Sequence, residues 1–391
     1  MVPIIDGNQD ERKSAGLAAR HLAVDPGMRR VDSFTAARDI LRSPAARQDG
    51  AGAAYVDVGD PEHVPVFYLD GEAHRKRRSA IAGLFTPKAV ANRYRRIMEQ
   101  TTEGLLARFR ARGEARLDEI SFELAVAVAA EIVGLTEKPA HRMAPRIAVL
   151  LDSTLGSVSG KPGLVLKAKS AFHALRFYLM DVRPAVRARR MARGDDIISQ
   201  TLDKGYSGRA ILIECMTYAT AGMVTTREFI VMAAWHLFDR PDLRAQFVNA
   251  DEAGQFEILE EILRLEPVAA MIQRRMEADP PSSCGAAVAA GERVAIDIRA
   301  VNTDEAAVGA CPYRIDPARA RQRRQGGASL SFGDGPHTCP GRQVALHETR
   351  VFLDRLFRTP GLRLLRVPDM SWNPALMSYE LRDARIACDR A

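Results

Sequence analysis

Apolar positions recur on a helical period along most of this 391-residue chain, and they alternate as in strands only in its last third. Behind a polar Asp32-Ser33 start, Phe34, Ala37, Ile40 and Leu41 fall on one face, which predicts a helix from Ser33 to Ser43. From Gln48 to Gly71 the period is broken by Gly, Pro and Asp around scattered Tyr55, Val56, Val64, Val66, Phe67 and Tyr68, so a long irregular loop is expected. Helical patterning resumes after Gly71 and stops near Phe85-Thr86-Pro87. It continues from Arg95 to Ile132 and again from Ala140 to Arg193, with a break between Gly156 and Gly163. That break carries Ser157, Ser159, Gly160 and Lys161-Pro162-Gly163, little of which packs, and predicts a mobile lid.

The stretch from Ala210 to Phe238 is apolar on nearly every face, as in a helix that passes through a core. At about 1.5 Å per residue it runs roughly 40 Å. Asp239-Arg240-Pro241 ends it, and Glu257 to Leu265 predicts the next helix. Pro267 to Gln273 reads as an apolar strand that stops at Arg274. Short alternating segments from Met276 to Ile298, with Pro280-Pro281 and Gly291 as turns, predict a small sheet, and strand-like pieces return from Leu362 to Ala391. The expected fold is mainly α with a small β region, and with no repeat or low-complexity tract residues 1–391 are read as a single domain.

Composition narrows the class. Hydrophobic residues make up 47% and charged residues 27%, as in a soluble globular protein. Met1 to Asp25 mixes acids and bases with no sustained apolar run, so neither a secretory leader nor a membrane anchor is expected, and a cytoplasmic location follows. Glu214, Arg227 and Glu228 interrupt the long apolar stretch, which excludes it as a bilayer span of about 20 residues. The net charge of +7 is spread over clusters at Arg75 to Arg78, Arg93 to Arg96, Arg187 to Arg193 and Arg319 to Arg324. No nucleic-acid motif interleaves them with aromatics. Each cluster is either a solvated helix face or a patch that receives an acidic protein partner. Cys215, Cys284, Cys311, Cys339 and Cys388 are odd in number and form no C-x-x-C pair, which argues against zinc and a disulfide framework.

Cys339 stands apart. It lies in Ser331-Phe332-Gly333-Asp334-Gly335-Pro336-His337-Thr338-Cys339-Pro340-Gly341-Arg342, directly before a helix-like run from Gln343 to Phe357. A thiolate presented to a metal needs backbone N–H groups and no crowding side chains, and Gly333, Gly335 and Gly341 supply such a backbone. The amides of Gly341 and Arg342 are placed to donate to the sulfur; Pro340 has none to give. The plain alternative is a buried structural cysteine in a turn.

Phe332, Gly335, His337, Cys339 and Gly341 match in full the pattern Phe-x-x-Gly-x-(His/Arg)-x-Cys-x-Gly, and the loop resembles the haem-ligand loop of the cytochrome P450 family. The resemblance implies a soluble, stand-alone P450 fold around haem b, with Cys339 as the iron ligand and Phe332 packed against its loop. His74 and Arg78, four apart on one helix face, match the family's propionate-binding His-x-x-x-Arg. Taken alone they would be a basic surface helix. The resemblance adds Arg274 and His337 to that set, with Arg275 competing with Arg274. Glu261 and Arg264 match Glu-x-x-Arg, with Arg319 as third partner, and Ala300-Val301-Asn302-Thr303-Asp304 echoes Ala-Asn-Arg-Asp with Thr303 where Arg is usual. Met377-Ser378-Tyr379 is expected as the tip that enters the substrate pocket.

Within the long apolar stretch, Ala221-Gly222-Met223-Val224-Thr225-Thr226 resembles the family's oxygen groove, (Ala/Gly)-Gly-x-(Asp/Glu)-Thr-(Thr/Ser). On that basis Ala221, Gly222 and Thr225 shape the oxygen site; without it, Ala221 and Gly222 would simply allow close helix packing. The usual acid is Val224 here, so protons would come by water, by Glu228 a turn away, or from the substrate. The implied activity is a monooxygenase that uses O2 and electrons from a separate ferredoxin-type donor and its reductase, since no flavin or nucleotide segment follows. The chain is expected as a monomer, away from membranes and nucleic acid. An apolar lining of Met223, Val224, Val268, Ala269, Met271 and Ile272 points to a small lipophilic substrate such as a terpenoid, polyketide or aromatic metabolite. Oxidative coupling with substrate-supplied protons and a haem sensor without turnover are the alternatives.

Overall fold

A computed structural model describes residues 10–22, 24–25, 27–50, 60–158, 163–278, 288–319 and 329–390, with the side chains of residues 61 and 155–158 left aside. Helices make up 62% and strands 11% of the structure, the mainly helical fold with a small β part that the apolar periodicity predicts.

Among the described residues nine strands form three small sheets. The first has the order β1-β5-β4-β2, from β1 (Met28–Val31), β2 (Ala46–Asp49), β4 (Met271–Met276) and β5 (Arg293–Asp297). β1 pairs parallel to β5, and the other two ladders are antiparallel. β3 (Glu114–Arg116), β9 (Arg385–Ala387) and β6 (Arg363–Arg366) form the second sheet. β7 (Asp369–Asn373) and β8 (Ser378–Arg382) close a hairpin.

The helix expected after Ser33 spans Phe34–Arg42 and buries Phe34, Ala37, Ile40 and Leu41. The pattern from Arg95 to Ile132 is two helices, Arg95–Arg112 and Leu117–Val133, because Gly113 takes a left-handed φ of 78° and ends the first. Helices Ala140–Val158 and Leu164–Phe177 narrow the expected break, and residues 159–162 of the anticipated lid lie outside the described residues. Pro280-Pro281 and Cys284 lie outside them too. The helix expected from Glu257 begins earlier, at Glu252, where the Asp251 carboxylate accepts from the Gly254 N–H at 2.9 Å.

The long apolar stretch is a nearly unbroken helical rod of three pieces: Gly208–Tyr218, a π-helical turn Ala219–Val224, and Thr225–Asp239. Ser207 caps its start by accepting from Ala210 N–H at 3.1 Å. Its second half is buried on almost every side, with Ile230, Val231, Met232, Ala233, Ala234 and Leu237 fully enclosed. That half packs against the helices Leu117–Val133 and Arg342–Phe357. The π turn itself packs against the helices Leu117–Val133 and Ala140–Val158. Among the described residues no helix is long and apolar enough to cross a membrane.

Candidate functional site

The cysteine loop is a set of tight turns. Gly333 N–H donates to Leu330 O at 2.8 Å, Thr338 N–H to Gly335 O at 3.1 Å, and Cys339 N–H to Phe332 O at 2.8 Å. Gly335 has a φ of 67°, and a Cβ there would lie 3.0 Å from Arg42 Cα and closer still to the Leu41 carbonyl oxygen. Only glycine fits, because the loop is pressed onto the end of helix Phe34–Arg42. Asp334 pins that contact, accepting from Arg42 Nε at 3.0 Å and from its own loop at Gly335 N. Phe332 packs against the main core and lies under the Arg342 guanidinium, 5.7 Å from ring to Cζ. Burial raises the pKa of the Cys339 thiol, while the Gly341 amide, the Arg78 guanidinium and the Arg342 amide pull it down. Those two amides are the ones the loop sequence singles out. They stand ready to stabilise a thiolate as soon as a cation faces the sulfur.

Behind the loop lies a buried ion network. Glu261 accepts from Arg264 Nη2 at 2.7 Å and Nε at 2.9 Å, and from Arg319 Nε at 2.9 Å. Arg319 is thus the third partner that its position suggests, and residues 320–324 of its cluster lie outside the described residues. Both arginines use their remaining N–H groups on backbone carbonyls, Arg264 on Asn302, Pro312 and Arg314 and Arg319 on Val308, Ala310, Cys311 and Arg314. Asn302 connects this network to the cysteine loop. Its amide donates to Arg264 O at 3.0 Å and Ser331 Oγ at 2.9 Å, and its oxygen accepts from Leu330 N at 2.7 Å. Thr303 closes on its own helix turn at Arg299 O, 2.9 Å away.

In front of the loop the structure gathers His74, Arg78, His337 and Arg274. The rings of His74 and His337 lie 4.1 Å apart, and His337 Nε2 meets Asp70 Oδ1 at 3.0 Å. Arg78 Nη2 donates to Thr338 O at 2.6 Å. Arg274 is only 5% exposed and has no ion-pair partner among the described residues; its Nη1 donates to Gln273 O at 2.8 Å. Strand alternation decides between the competing arginines, since Arg275 points outward toward Asp49 at 3.7 Å. The strand does not stop at Arg274 but runs through it to Met276. Burial, reinforced by the charges of His337 and Arg78, depresses the His74 pKa to about 4, and burial lowers that of Arg274 to about 10. Among the described residues Asp70 is the one carboxylate that reaches His74, Arg274 and His337, and Arg78 bonds only to a carbonyl, so the rim is short of negative charge. Two carboxylates from a bound ligand would supply it.

The π turn holds the remaining residues. Ala221 is exposed and Gly222 half-buried, and a Cβ on Gly222 would meet nothing within 4 Å. Close packing of protein is therefore not what keeps these residues small; they border open space. Thr225 Oγ1 donates to Ala221 O at 2.7 Å, the local bond that competes with the backbone ladder where the helix widens. Val224 and Met223 are buried in an apolar cluster with Phe122, Val126 and Leu150, so neither lines the groove as the sequence reading expects. Val268 and Met271 are also core, which leaves Ala269 and Ile272 half-buried, the latter 4.0 Å from where a Gly333 Cβ would stand. Glu228 is held by Arg227 Nε at 2.9 Å, Arg382 Nη1 at 2.7 Å and Leu381 N at 2.7 Å, and cannot act as the substitute acid. Ser378 and Tyr379 lie in β8, with Tyr379 Oη donating to Glu266 O at 3.1 Å, so the hairpin tip is formed by residues 374–377 instead.

Two features escape the sequence reading. Arg77, inside the presumed surface cluster, is buried and paired with Glu214 at 2.8 Å. The only available signal for Glu214 was an acid standing in the most apolar stretch. Asp70, which ties His337 to the loop at Gln48, carries no signal beyond its place before the His74 helix.

Comparison with known proteins agrees with this geometry. Residues 257–366 match the sequence model for "Cytochrome P450". The erythromycin C-12 hydroxylase of Saccharopolyspora erythraea is 28% identical over 78% of this chain and 75% of its own. The biotin biosynthesis cytochrome P450 of Bacillus subtilis is 26% identical over 86% and 82%. The solved structure of CalO2 superposes with a TM-score of 0.78 at 23% identity, covering 97% of this chain and 96% of that one. A single cysteine in a glycine loop beside a basic rim, with a long helix that widens at Ala219–Val224, is an arrangement consistent with the haem-thiolate proteins among these relatives. In sequence over most of its length, and in fold, the chain is similar to bacterial cytochrome P450s, and these likenesses support a P450 monooxygenase with haem iron as its cofactor.

Proposed function

We propose that the chain, read as one haem domain, oxidises a small, largely apolar organic metabolite with O2 and electrons from a separate ferredoxin-type protein. The observation that carries this reading is the Cys339 sulfur under the Gly341 and Arg342 amides, with a basic rim beside it. In this reading Cys339 ligates the iron, and His74, Arg78, Arg274 and His337 bind the two propionates. Bound haem supplies activation of O2, one atom of which enters the substrate while the other leaves as water.

The remaining steps belong to the protein. Ala221 and Gly222 leave space for O2 beside the π turn. The Thr225 hydroxyl holds a proton at the groove. Glu261, Arg264, Arg319 and Asn302 keep the cysteine loop rigid. The half-buried apolar groups Ala269, Ile272 and Val66 favour a lipophilic substrate. The name of the erythromycin C-12 hydroxylase supports a natural-product metabolite of that kind. Arg75 and Lys76 are exposed and have no ion-pair partner among the described residues, which suits an acidic electron donor.

The test is a screen of metabolites for a shift of the ferric haem from low to high spin, followed by turnover with a surrogate ferredoxin and reductase. Oxygenated product from a spin-shifting compound supports the reading. Coupled or dehydrogenated products alone would favour the second reading, oxidative coupling, which the absence of an acid at Val224 recommends. Spin-shifting compounds that never turn over would leave a sensor.

A further inference from the structure

We infer that a buried polar pocket walled by Arg77, Glu214 and Tyr218 holds water, and that Glu214 passes protons from it to the Thr225 groove in place of the acid missing at Val224. The inference rests on the monooxygenase reading. The pocket lies between helix Gly71–Ile81 and the first segment of the long rod.

Arg77 is 4% exposed and Glu214 1%, and a single bond, Arg77 Nη2 to Glu214 Oε1 at 2.8 Å, joins them. Four buried polar atoms around that bond have no hydrogen-bond partner among the described residues: Arg77 Nε and Nη1, Glu214 Oε2 and Tyr218 Oη. Buried polar atoms are almost always satisfied, and where protein does not do it water does. The set offers donors on arginine, an acceptor on the carboxyl and both on the phenol. The outer wall is Tyr206, whose ring lies 5.0 Å under the Arg77 guanidinium and 4.0 Å from the His63 ring. Lys204, exposed, marks the solvent end and interacts electrostatically with both Arg77 and Glu214.

On the other side, charge couples the cluster toward Cys339. Tyr218 feels the charge of Arg78, and Arg78 feels that of Cys339. Along the rod, Thr217, Tyr218, Gly222 and Thr225 are half-buried and Ala221 is exposed, as Met216 and Thr220 are half-buried beside them, while Ala219, Met223, Val224 and Thr226 are buried. From Tyr218 to Thr225 is about 10 Å along the axis. Two or three waters at roughly 2.8 Å spacing cover that distance, and the space over Gly222 is open to them.

The groups facing Glu214 are Arg77, Lys204, Tyr218, Cys215 and Tyr206. Burial raises its pKa, and Arg77 and Lys204 only partly oppose this, so the carboxyl keeps its proton to higher pH than a free glutamate. The transfer is a relay. The Glu214 proton passes to pocket water and then to Thr225 Oγ1, whose own proton goes to the groove. Arg77 and Lys204 stabilise the carboxylate left behind until solvent reprotonates it. The two nearer alternatives are closed, Val224 being apolar and Glu228 held by three partners.

The experiment compares wild type, Glu214→Gln and Tyr218→Phe, the last of which leaves the ion pair intact. Infrared spectra of the ferric haem protein across a pH series, in H2O and D2O, should show a protonated-carboxyl band that Glu214→Gln removes and that persists to higher pH than a free glutamate's. Turnover of a spin-shifting compound with a surrogate ferredoxin and reductase should show product per electron falling roughly tenfold in Glu214→Gln. Peroxide should rise to match, with a larger solvent isotope effect. Tyr218→Phe should move the same way by less. Wild-type coupling and isotope effect in both variants would overturn the relay and leave the monooxygenase reading intact. Failure of the wild type to oxygenate any spin-shifting compound would overturn both.

Discussion

Glu261→Ala is the substitution whose cost the structure specifies most fully. Among the described residues the carboxylate is the one counter-charge for Arg264 and Arg319, which are 1% and 5% exposed. It also accepts from Asp316 N at 3.2 Å. Removing it leaves both guanidiniums bonded to carbonyls but without an anion, in a region water does not reach. Breaking a buried ion network by deleting one partner costs about 3–5 kcal/mol. Against a net stability of roughly 5–15 kcal/mol, that is about a fifth of the total or more. Glu261→Gln keeps one acceptor oxygen and the packing, and should lose about 1–3 kcal/mol. Because Asn302 links Arg264 to Leu330 and Ser331, the damage should reach the haem side, with haem lost before the helices melt. Urea titrations followed in parallel by far-ultraviolet circular dichroism and haem absorbance measure both. A loss below about 1 kcal/mol in Glu261→Ala, with haem release unchanged, would refute the view that this network carries the cysteine loop.

Three further outcomes follow from single residues. Gly335→Ala meets the Leu41–Arg42 backbone and should lower haem content sharply. Gly333→Ala, with a similar φ of 70° but no atom nearer than 3.7 Å, should cost only about 1–2 kcal/mol of left-handed strain; equal effects in a haem-content assay would contradict the contact. Thr225→Ala removes the bond to Ala221 O and the groove's hydroxyl, and should divert electrons from product to peroxide, measured as peroxide per NADPH. Glu348, 2% exposed with Oε1 unpartnered among the described residues, has its pKa pushed up to about 8 by burial. A raised carboxyl pKa favours the fold below the unfolded value near 4.5, and that advantage is lost as pH rises to about 8. Glu348→Gln should therefore gain on wild type between pH 5 and 9, by at most about 5 kcal/mol; denaturation midpoints that move in parallel across that range would contradict this.

Features written in local spacing were legible in the sequence. The cysteine loop, its two amides and the existence of the long rod follow from residues close together in the chain. The π turn does not, because a helix one residue wider in the middle keeps nearly the same apolar pattern. Partners distant in sequence were harder to foresee. Glu228 looked free because the hairpin that captures it, through Leu381 and Arg382, lies more than 150 residues on. The cluster Arg75-Lys76-Arg77-Arg78 read as one patch, yet helix geometry sends Arg77 to Glu214 and Arg78 to Thr338 and leaves Arg75 and Lys76 exposed. Arg274 and Arg275 were equivalent by composition and were separated only by the face of β4 on which each lies. Met223 and Val224 looked like lining because they adjoin Gly222, but the rod turns them into the core.

Thiolate ligation by Cys339 is the claim on which the rest depends, and the reduced carbon monoxide complex reads it directly. The wild-type protein should give the red-shifted Soret band of a thiolate-ligated haem, and Cys339→His, which offers iron a neutral nitrogen, should give a complex with no such band. A wild-type spectrum without the red shift, or the same red shift in Cys339→His, would contradict the account.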